Sequence, residues 1–322
     1  MIKGTRLPDF LDSTTEIELT KLILSLTEGC KTIARLVNNA GISGIIGVTG
    51  TSNIHGESVQ KLDDLSNQIL MDYLTASHSC AGYLSEENDD IVTLDKEAKY
   101  IISVDPLDGS SNTDVCAPIG TIFAVSERLT KAGVDVQPKD FLQKGIHTKA
   151  AGYLIYGSST ILILSTGKGV NGFTLSTADY EFYLSHPDIK TPADGKIYSI
   201  NLGNTQKFDD GVKNFVDFCE TIDKNTSRPY SLRYIGSMVG DLHRNLIKGG
   251  IFIYPANKGE TKGKLRLLYE CIPMAFIIED AGGKATDGTK RILELKPEAV
   301  HERCAIFIGS KNMIDKALEF LQ

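Results

Sequence analysis

Two short apolar runs end in carboxylates. Gly82-Tyr83-Leu84 leads into Ser85-Glu86-Glu87-Asn88, and Ile101-Ile102-Ser103-Val104 leads into Asp105-Pro106-Leu107-Asp108-Gly109-Ser110-Ser111-Asn112. Both runs have the character of strands, and open α/β sheets bind ligands at strand ends. Four acids gathered at two strand mouths repel one another in a low-dielectric setting and need protons or cations. Hard oxygen donors favour Mg²⁺ or Mn²⁺, and no His or Cys stands within either motif to favour zinc. Pro106 fixes a bend and Gly109 permits positive φ, so Asp105, the Leu107 carbonyl and Asp108 can converge on one point. Gly109, Ser110, Ser111 and Asn112 can then open a helix whose free N–H groups and positive dipole end hold a phosphate beside the cations. The bland alternative for each motif is a surface Asp-Gly turn with ordinary capping residues.

These motifs need a scaffold large enough to hold them. At 322 residues the chain suggests two cores that fold without disulfides, and we expect a boundary near residue 190, where Pro187, Pro192 and Gly195 break both periodicities. The expected units are 1–189, carrying the acidic strand ends, and 190–322. Lys+Arg number 34 against 41 Asp+Glu, a net charge of −7, which disfavours an extended cationic surface for nucleic acid or anionic lipid. No apolar stretch approaches the roughly 20 residues of a membrane span, and the amino terminus lacks a secretion signal, so a cytoplasmic protein is expected. Six scattered cysteines without a Cys-x-x-Cys pair point to free thiols. Leu19, Ile23, Leu26, Cys30, Ile33 and Val37 mark one face of a long helix, with Ser13 to Glu16 as a capping box and Gly41 as its stop. Five glycines between Gly41 and Lys61 suggest a mobile loop, and Leu62, Leu65, Ile69, Tyr73 and Ala76 restore helical spacing. Strands predominate from Tyr100 to Leu184, and beyond 190 helices mix with strands, up to a closing helix from Asn312 to Leu321. The fold class expected is α/β, in layers of sheet and helix.

Five motifs together resemble fructose-1,6-bisphosphatase of the type shared by animals, plants and many bacteria. They are Ser85-Glu86-Glu87, Asp105 to Asn112, Tyr234-Ile235-Gly236-Ser237-Met238-Val239, Tyr254-Pro255-Ala256-Asn257-Lys258 and Lys264-Leu265-Arg266-Leu267-Leu268-Tyr269-Glu270. The Asp-Pro-Leu-Asp-Gly-Ser-Ser box alone indicates the wider lithium-sensitive sugar and inositol phosphatase superfamily; the carboxyl-terminal motifs narrow it. The resemblance implies a two-domain, layered α-β-α-β-α sandwich, a homotetramer, and removal of the 1-phosphate of fructose 1,6-bisphosphate with two or more Mg²⁺ ions per subunit, Mn²⁺ being an alternative. It implies metal ligation by Glu86, Glu87, Asp105, the Leu107 carbonyl, Asp108 and Glu270. Asp63 and Glu87 would orient and deprotonate the attacking water, and Glu57 would join the site from a closing loop. Asn201, Tyr234 and Tyr254 would hold the second phosphate, with Arg233 reaching a neighbouring subunit's site. Lys264 would contact sugar and phosphate, Met238 the sugar through its main chain, and Arg266 the 1-phosphate.

Two departures from the family pattern bear on specificity and control. Position 204 is Asn where the family commonly has Tyr. The family's AMP turn reads Thr-Gly-Glu-Leu-Thr, whereas this chain has Glu16-Ile17-Glu18-Leu19-Thr20, although Thr20, Lys99 and Tyr100 match. Side-chain bulk and a like charge at the phosphate position predict weak or absent AMP inhibition. The alternatives to the fructose substrate are a sedoheptulose 1,7-bisphosphatase and a non-catalytic metabolite sensor.

Overall fold

The computed structural model describes residues 4–43, 47–52 and 58–321. Its layers follow from which side chains must leave water. Leu22, Ile23, Leu26, Cys30 and Ile33 of the helix Ile17–Asn38 are fully buried, as their spacing requires. Each contributes about 1.5–3 kcal/mol if Leu- or Ile-sized. They pack with Leu7–Thr14 and Lys61–Ser77 onto one face of an eight-stranded sheet. That sheet runs, from one edge, Phe182–Ile189, Val170–Leu175, Thr160–Ser165, Thr148–Tyr156, Ile119–Glu127, Tyr100–Asp108, Cys80–Ser85 and Val92–Thr93. Strand alternation divides Tyr100–Asp108 between two cores. Tyr100, Ile102 and Val104 join the outer helices, and Ile101 faces the other way.

On that other face Met238–Lys248 and Ile272–Asp280 lie between the eight-stranded sheet and a five-stranded one. Ile272-Pro273-Met274-Ala275-Phe276-Ile277-Ile278 is apolar all round because protein covers it on both sides. The second sheet runs Ser231–Leu232, Ile197–Ser199, Ile251–Tyr254, Ile306–Gly309 and Lys284–Thr286. Ile251, Ile253 and Phe307 turn away from the central layer to meet Asp210–Glu220 and Lys311–Leu321. The result is the helix–sheet–helix–sheet–helix sandwich expected.

Local details differ from expectation. The Ser13–Glu16 capping box does not form. The Ser13 and Thr14 hydroxyls instead donate to the Phe10 carbonyl at 2.8 Å, closing the preceding helix, and Glu16 is the N-cap without a side-chain cap bond. The long helix ends at Asn38, short of Gly41. Within the expected loop, Val48–Ser52 and Ser58–Gln60 pair as an irregular antiparallel hairpin. No helix among the described residues is long and apolar enough to cross a membrane.

Candidate active site

A register change builds the acidic centre. Asp105 pairs with Ile122 and Asp108 with Gly120, so two residues between them, Pro106 and Leu107, oppose the single Thr121 on the neighbouring strand. This bulge at Pro106-Leu107 turns Asp105 and Asp108, which regular alternation would place on opposite faces, toward one pocket. Thr121 Oγ1 donates to the Pro106 carbonyl at 2.8 Å and holds the bulge. Gly109 follows at φ 73°, and a Cβ there would lie 2.6 Å from Ser237 Cβ, so the turn requires glycine. Ser110–Val115 then forms a short 3₁₀ turn rather than the expected α-helix, since Ser, Asn, Thr and Asp compete for their own backbone.

The third acid arrives from far along the chain. Glu270 lies in a wide π-type turn, Leu267–Cys271, directly before Ile272–Asp280, and accepts the Arg266 backbone N–H at 2.6 Å. Oxygens of Asp105, Asp108 and Glu270, all buried, lie within 4.8 Å of one another. Burial first, and then Glu86, Asp108 and Glu270, push the Asp105 carboxyl well above the carboxylate range. Burial and then Glu86 do the same to Glu270. Asp108 is also raised by burial, against hydrogen bonds from the Ser237 hydroxyl (2.7 Å) and the Val239 N–H (3.0 Å). Three buried carboxylates without a balancing cation hold their charge poorly, and a hard-oxygen donor set this tight fits a divalent ion.

Glu86 and Glu87 stand at the end of Cys80–Ser85, where the Glu86 N–H donates to Val104 at 3.1 Å and sets that turn beside Asp105. Asp63 is buried on the first turn of Lys61–Ser77. A hydrogen-bonded chain that the motifs did not reveal joins these pieces. The Tyr83 hydroxyl donates to Asn67 Oδ1 at 3.0 Å, and Asn67 Nδ2 donates to Asn88 Oδ1 at 2.8 Å. The helix bearing Asp63 is thereby tied to the turn bearing Glu86 and Glu87. Buried Arg266 stands 3.1 Å from Glu86 Oε1 and donates to the Lys264 carbonyl at 3.1 Å.

One pocket of about 480 Å³ collects Asp63, Glu86, Glu87, Asp105, Leu107, Asp108, Gly109, Ser110, Ser111, Asn201, Tyr234, Met238, Tyr254, Lys264, Arg266 and Glu270. Its lining combines these acids with Asn201, two tyrosines and Lys264. Burial, then Tyr254, pushes the Tyr234 phenol up to about 12, so it stays a hydrogen-bond donor at neutral pH. The Asp241 carboxylate accepts the Ile235 and Gly236 N–H groups and braces the Tyr234-Ile235-Gly236 turn. Burial raises its pKa to about 6 despite those bonds. Arg233 is exposed and does not line its own chain's pocket; its guanidinium donates to the Leu232 carbonyl. Glu57 lies outside the described residues. Lys99 and Tyr100 do come together, but around Glu16, whose carboxylate accepts from the Lys99 ammonium at 2.8 Å and from the Tyr100 hydroxyl. Thr20 bonds Thr15 at 2.9 Å.

The chain matches two family models end to end, "Fructose-1-6-bisphosphatase, N-terminal domain" over residues 9–187 and "Fructose-1-6-bisphosphatase, C-terminal domain" over residues 191–322. Among solved structures it resembles the fructose-1,6-bisphosphatase of Leishmania major in holo form, with 38% identity, 99% of each chain covered and a TM-score of 0.93. To the apo form the identity is 36%, again over 99% of each chain, with a TM-score of 0.87.

Proposed function

Because the chain belongs to the fructose-1-6-bisphosphatase family along nearly its whole length, we propose that its acidic pocket is where D-fructose 1,6-bisphosphate is hydrolysed to D-fructose 6-phosphate and phosphate. The observation that carries this assignment is the convergence of Asp105, Asp108 and Glu270 within 4.8 Å in the pocket that also contains Lys264, Tyr234 and Tyr254. Divalent cations, Mg²⁺ with Mn²⁺ as a substitute and two or more per subunit, would be held by Glu86, Glu87, Asp105, the Leu107 carbonyl, Asp108 and Glu270. Bound there, they supply neutralisation of phosphoryl charge and acidification of water.

The chain's own groups do the rest. Asp63 and Glu87 orient the attacking water and take its proton, which a carboxylate does at neutral pH when the water is positioned by a second acceptor. Gly109, Ser110 and Ser111 present donors to the 1-phosphate, and Arg266 adds a fixed cation where negative charge builds up. Tyr234, Tyr254 and Asn201 hold the 6-phosphate through neutral donors, Lys264 bridges sugar and phosphate, and the Met238 main chain contacts the sugar. Glu57 would approach on loop closure. Exposed Arg233 suits service in a neighbouring subunit, in keeping with a homotetramer. We read the chain as the units 1–189 and 190–322, both of which contribute lining residues to this pocket, and six free cysteines suit a cytoplasmic setting.

The direct test is inorganic phosphate released from fructose 1,6-bisphosphate and sedoheptulose 1,7-bisphosphate, with and without Mg²⁺. We expect Mg²⁺-dependent release, faster from the fructose ester. Equal activity in EDTA, or a preference for the seven-carbon sugar, would overturn this assignment.

The Glu16 contacts bear on regulation. A carboxylate already occupying Lys99 and Tyr100 takes the donors a nucleotide phosphate would need and repels it. AMP at about a hundredfold above the micromolar range is therefore expected to leave the rate unchanged. Half-inhibition at low micromolar AMP in a steady-state assay would contradict it.

A further inference from the structure

On the far side of the five-stranded sheet a second cavity, of about 610 Å³, opens beside Ile197–Ser199, Asp210–Glu220 and Lys311–Leu321. It shares no lining residue with the acidic pocket. Its floor is aromatic. Phe215 and Phe218 stack with ring centroids 6.1 Å apart, and Tyr230 meets Phe218 edge-on at 6.4 Å. Its rim is cationic, with Lys196, Lys248 and Lys316.

These cations differ in how they are satisfied. Lys316 is paired with Glu319 at 2.6 Å and lies 5.2 Å from the Phe218 ring. Lys196 and Lys248 have no carboxylate within ion-pair distance among the described residues, and the Tyr230 hydroxyl has no hydrogen-bond partner there. The one lining acid, Asp194, is held by Asn312 Nδ2 at 2.9 Å. The two segments that carry these lysines meet at a backbone contact, since a Cβ on Gly195 would lie 2.2 Å from the Gly250 nitrogen. That contact seats Lys196 beside the end of Met238–Lys248.

Lys196 and Lys248 are exposed cations on the rim, and an anion set between them would be attracted by both. In a chain of net charge −7 such a local surplus is unexpected. The aromatic floor favours a planar ring, and the volume falls within the roughly 300–1,000 Å³ of small-ligand sites. We propose that this cavity is a second ligand site, separate from the catalytic pocket, for a small aromatic anion. The ring lies against Phe215, Phe218 and Tyr230, and the phosphate or carboxylate lies between Lys196 and Lys248.

The chain has no Trp, so naphthyl fluorescence can be followed against a tyrosine background. The experiment titrates full-length protein in EDTA with 2-naphthyl phosphate, 2-naphthoate and neutral 2-naphthol, reading fluorescence anisotropy. EDTA removes the cations that would draw an anion into the acidic pocket. At least one of the two anions is expected to saturate with a Kd on the order of 0.1 mM, and the better of them identifies the charged group. The neutral naphthol should bind about tenfold more weakly or worse. Lys196→Glu and Lys248→Glu should each weaken the anion by about tenfold while leaving phosphate release from fructose 1,6-bisphosphate intact, which confirms the fold. Arg266→Met, in the other pocket, should leave naphthyl binding unchanged. No saturable binding, equal affinity for the neutral naphthol, or indifference to both lysine reversals would overturn the proposal.

Discussion

Asp105→Asn is expected to cut Mg²⁺-dependent phosphate release by about 10³-fold or more and, in the same protein freed of metal, to raise the melting temperature. The activity loss follows from removing one charged donor of the divalent site, since about 4 kcal/mol of lost charge stabilisation is three decades in rate. The stability gain has the opposite origin. Asp105 is buried against Glu86, Asp108 and Glu270, and its folded pKa lies well above the unfolded value near 3.8. A group raised in this way favours the fold fully below its unfolded pKa, and that contribution is lost as pH climbs to the folded pKa. At neutral pH, without metal, the wild type therefore carries a penalty that the neutral amide of the variant does not. The amide keeps an oxygen to accept the Leu107 N–H, which Asp105 Oδ1 accepts at 3.0 Å. At about 2 °C per kcal/mol for a chain this long, relief of a few kcal/mol amounts to roughly 5 °C at pH 7. The gain should shrink toward pH 4, where the wild-type carboxyl is protonated. Mg²⁺ should stabilise the wild type and scarcely move the variant. Calorimetry at both pH values, with EDTA or Mg²⁺, checks all of this. A variant less stable than wild type in EDTA at pH 7 would mean that the three acids are not crowded as described.

The legible part of the site was the part encoded within single segments. Glu86-Glu87 and Asp105 to Asn112 could be placed at strand ends because each follows an apolar run and precedes turn chemistry. The convergence of Asp105 and Asp108 was legible in Pro106 and Gly109, but the bulge that produces it was not, because it is defined only against the partner strand Ile119–Glu127. Glu270 lies more than 160 residues from Asp105 and was connected to it only through family resemblance. The helix Met238–Lys248 is not among the expected elements, although Ser237 as N-cap and Gly249 after its end are ordinary helix punctuation. Its first residues belong to the Tyr234-to-Val239 motif, which hides their helical spacing. The Tyr83–Asn67–Asn88 chain left no local signal, since buried amides are distinguished from exposed ones only by what packs over them. The Glu16 ion pair spans 83 residues and displaced a capping box that local spacing favoured. In each case local propensity was outweighed by a partner distant in sequence.

Arg266 tests whether charge balance, and not merely fold, governs the pocket. Its side chain is 3% exposed, 3.1 Å from Glu86, and its backbone N–H binds Glu270. Arg266→Met keeps much of the volume and removes the cation. Losing one preorganised positive group at the reacting phosphate is expected to lower kcat by about 10²–10³-fold. The same substitution removes a cation whose charge acts on Glu86 and Glu270, which makes the cage more negative and its attraction for Mg²⁺ stronger. The Mg²⁺ concentration for half-maximal activity should therefore fall although the maximal rate drops. Without metal the variant should be less stable by roughly 3 kcal/mol, the ordinary cost of breaking a buried ion pair, and Mg²⁺ should recover much of that loss. A merely structural role for Arg266 predicts another pattern, with lower activity, a looser pocket and a higher Mg²⁺ requirement. Titrating phosphate release against Mg²⁺ for wild type and variant separates the two, because the half-activation point moves in opposite directions.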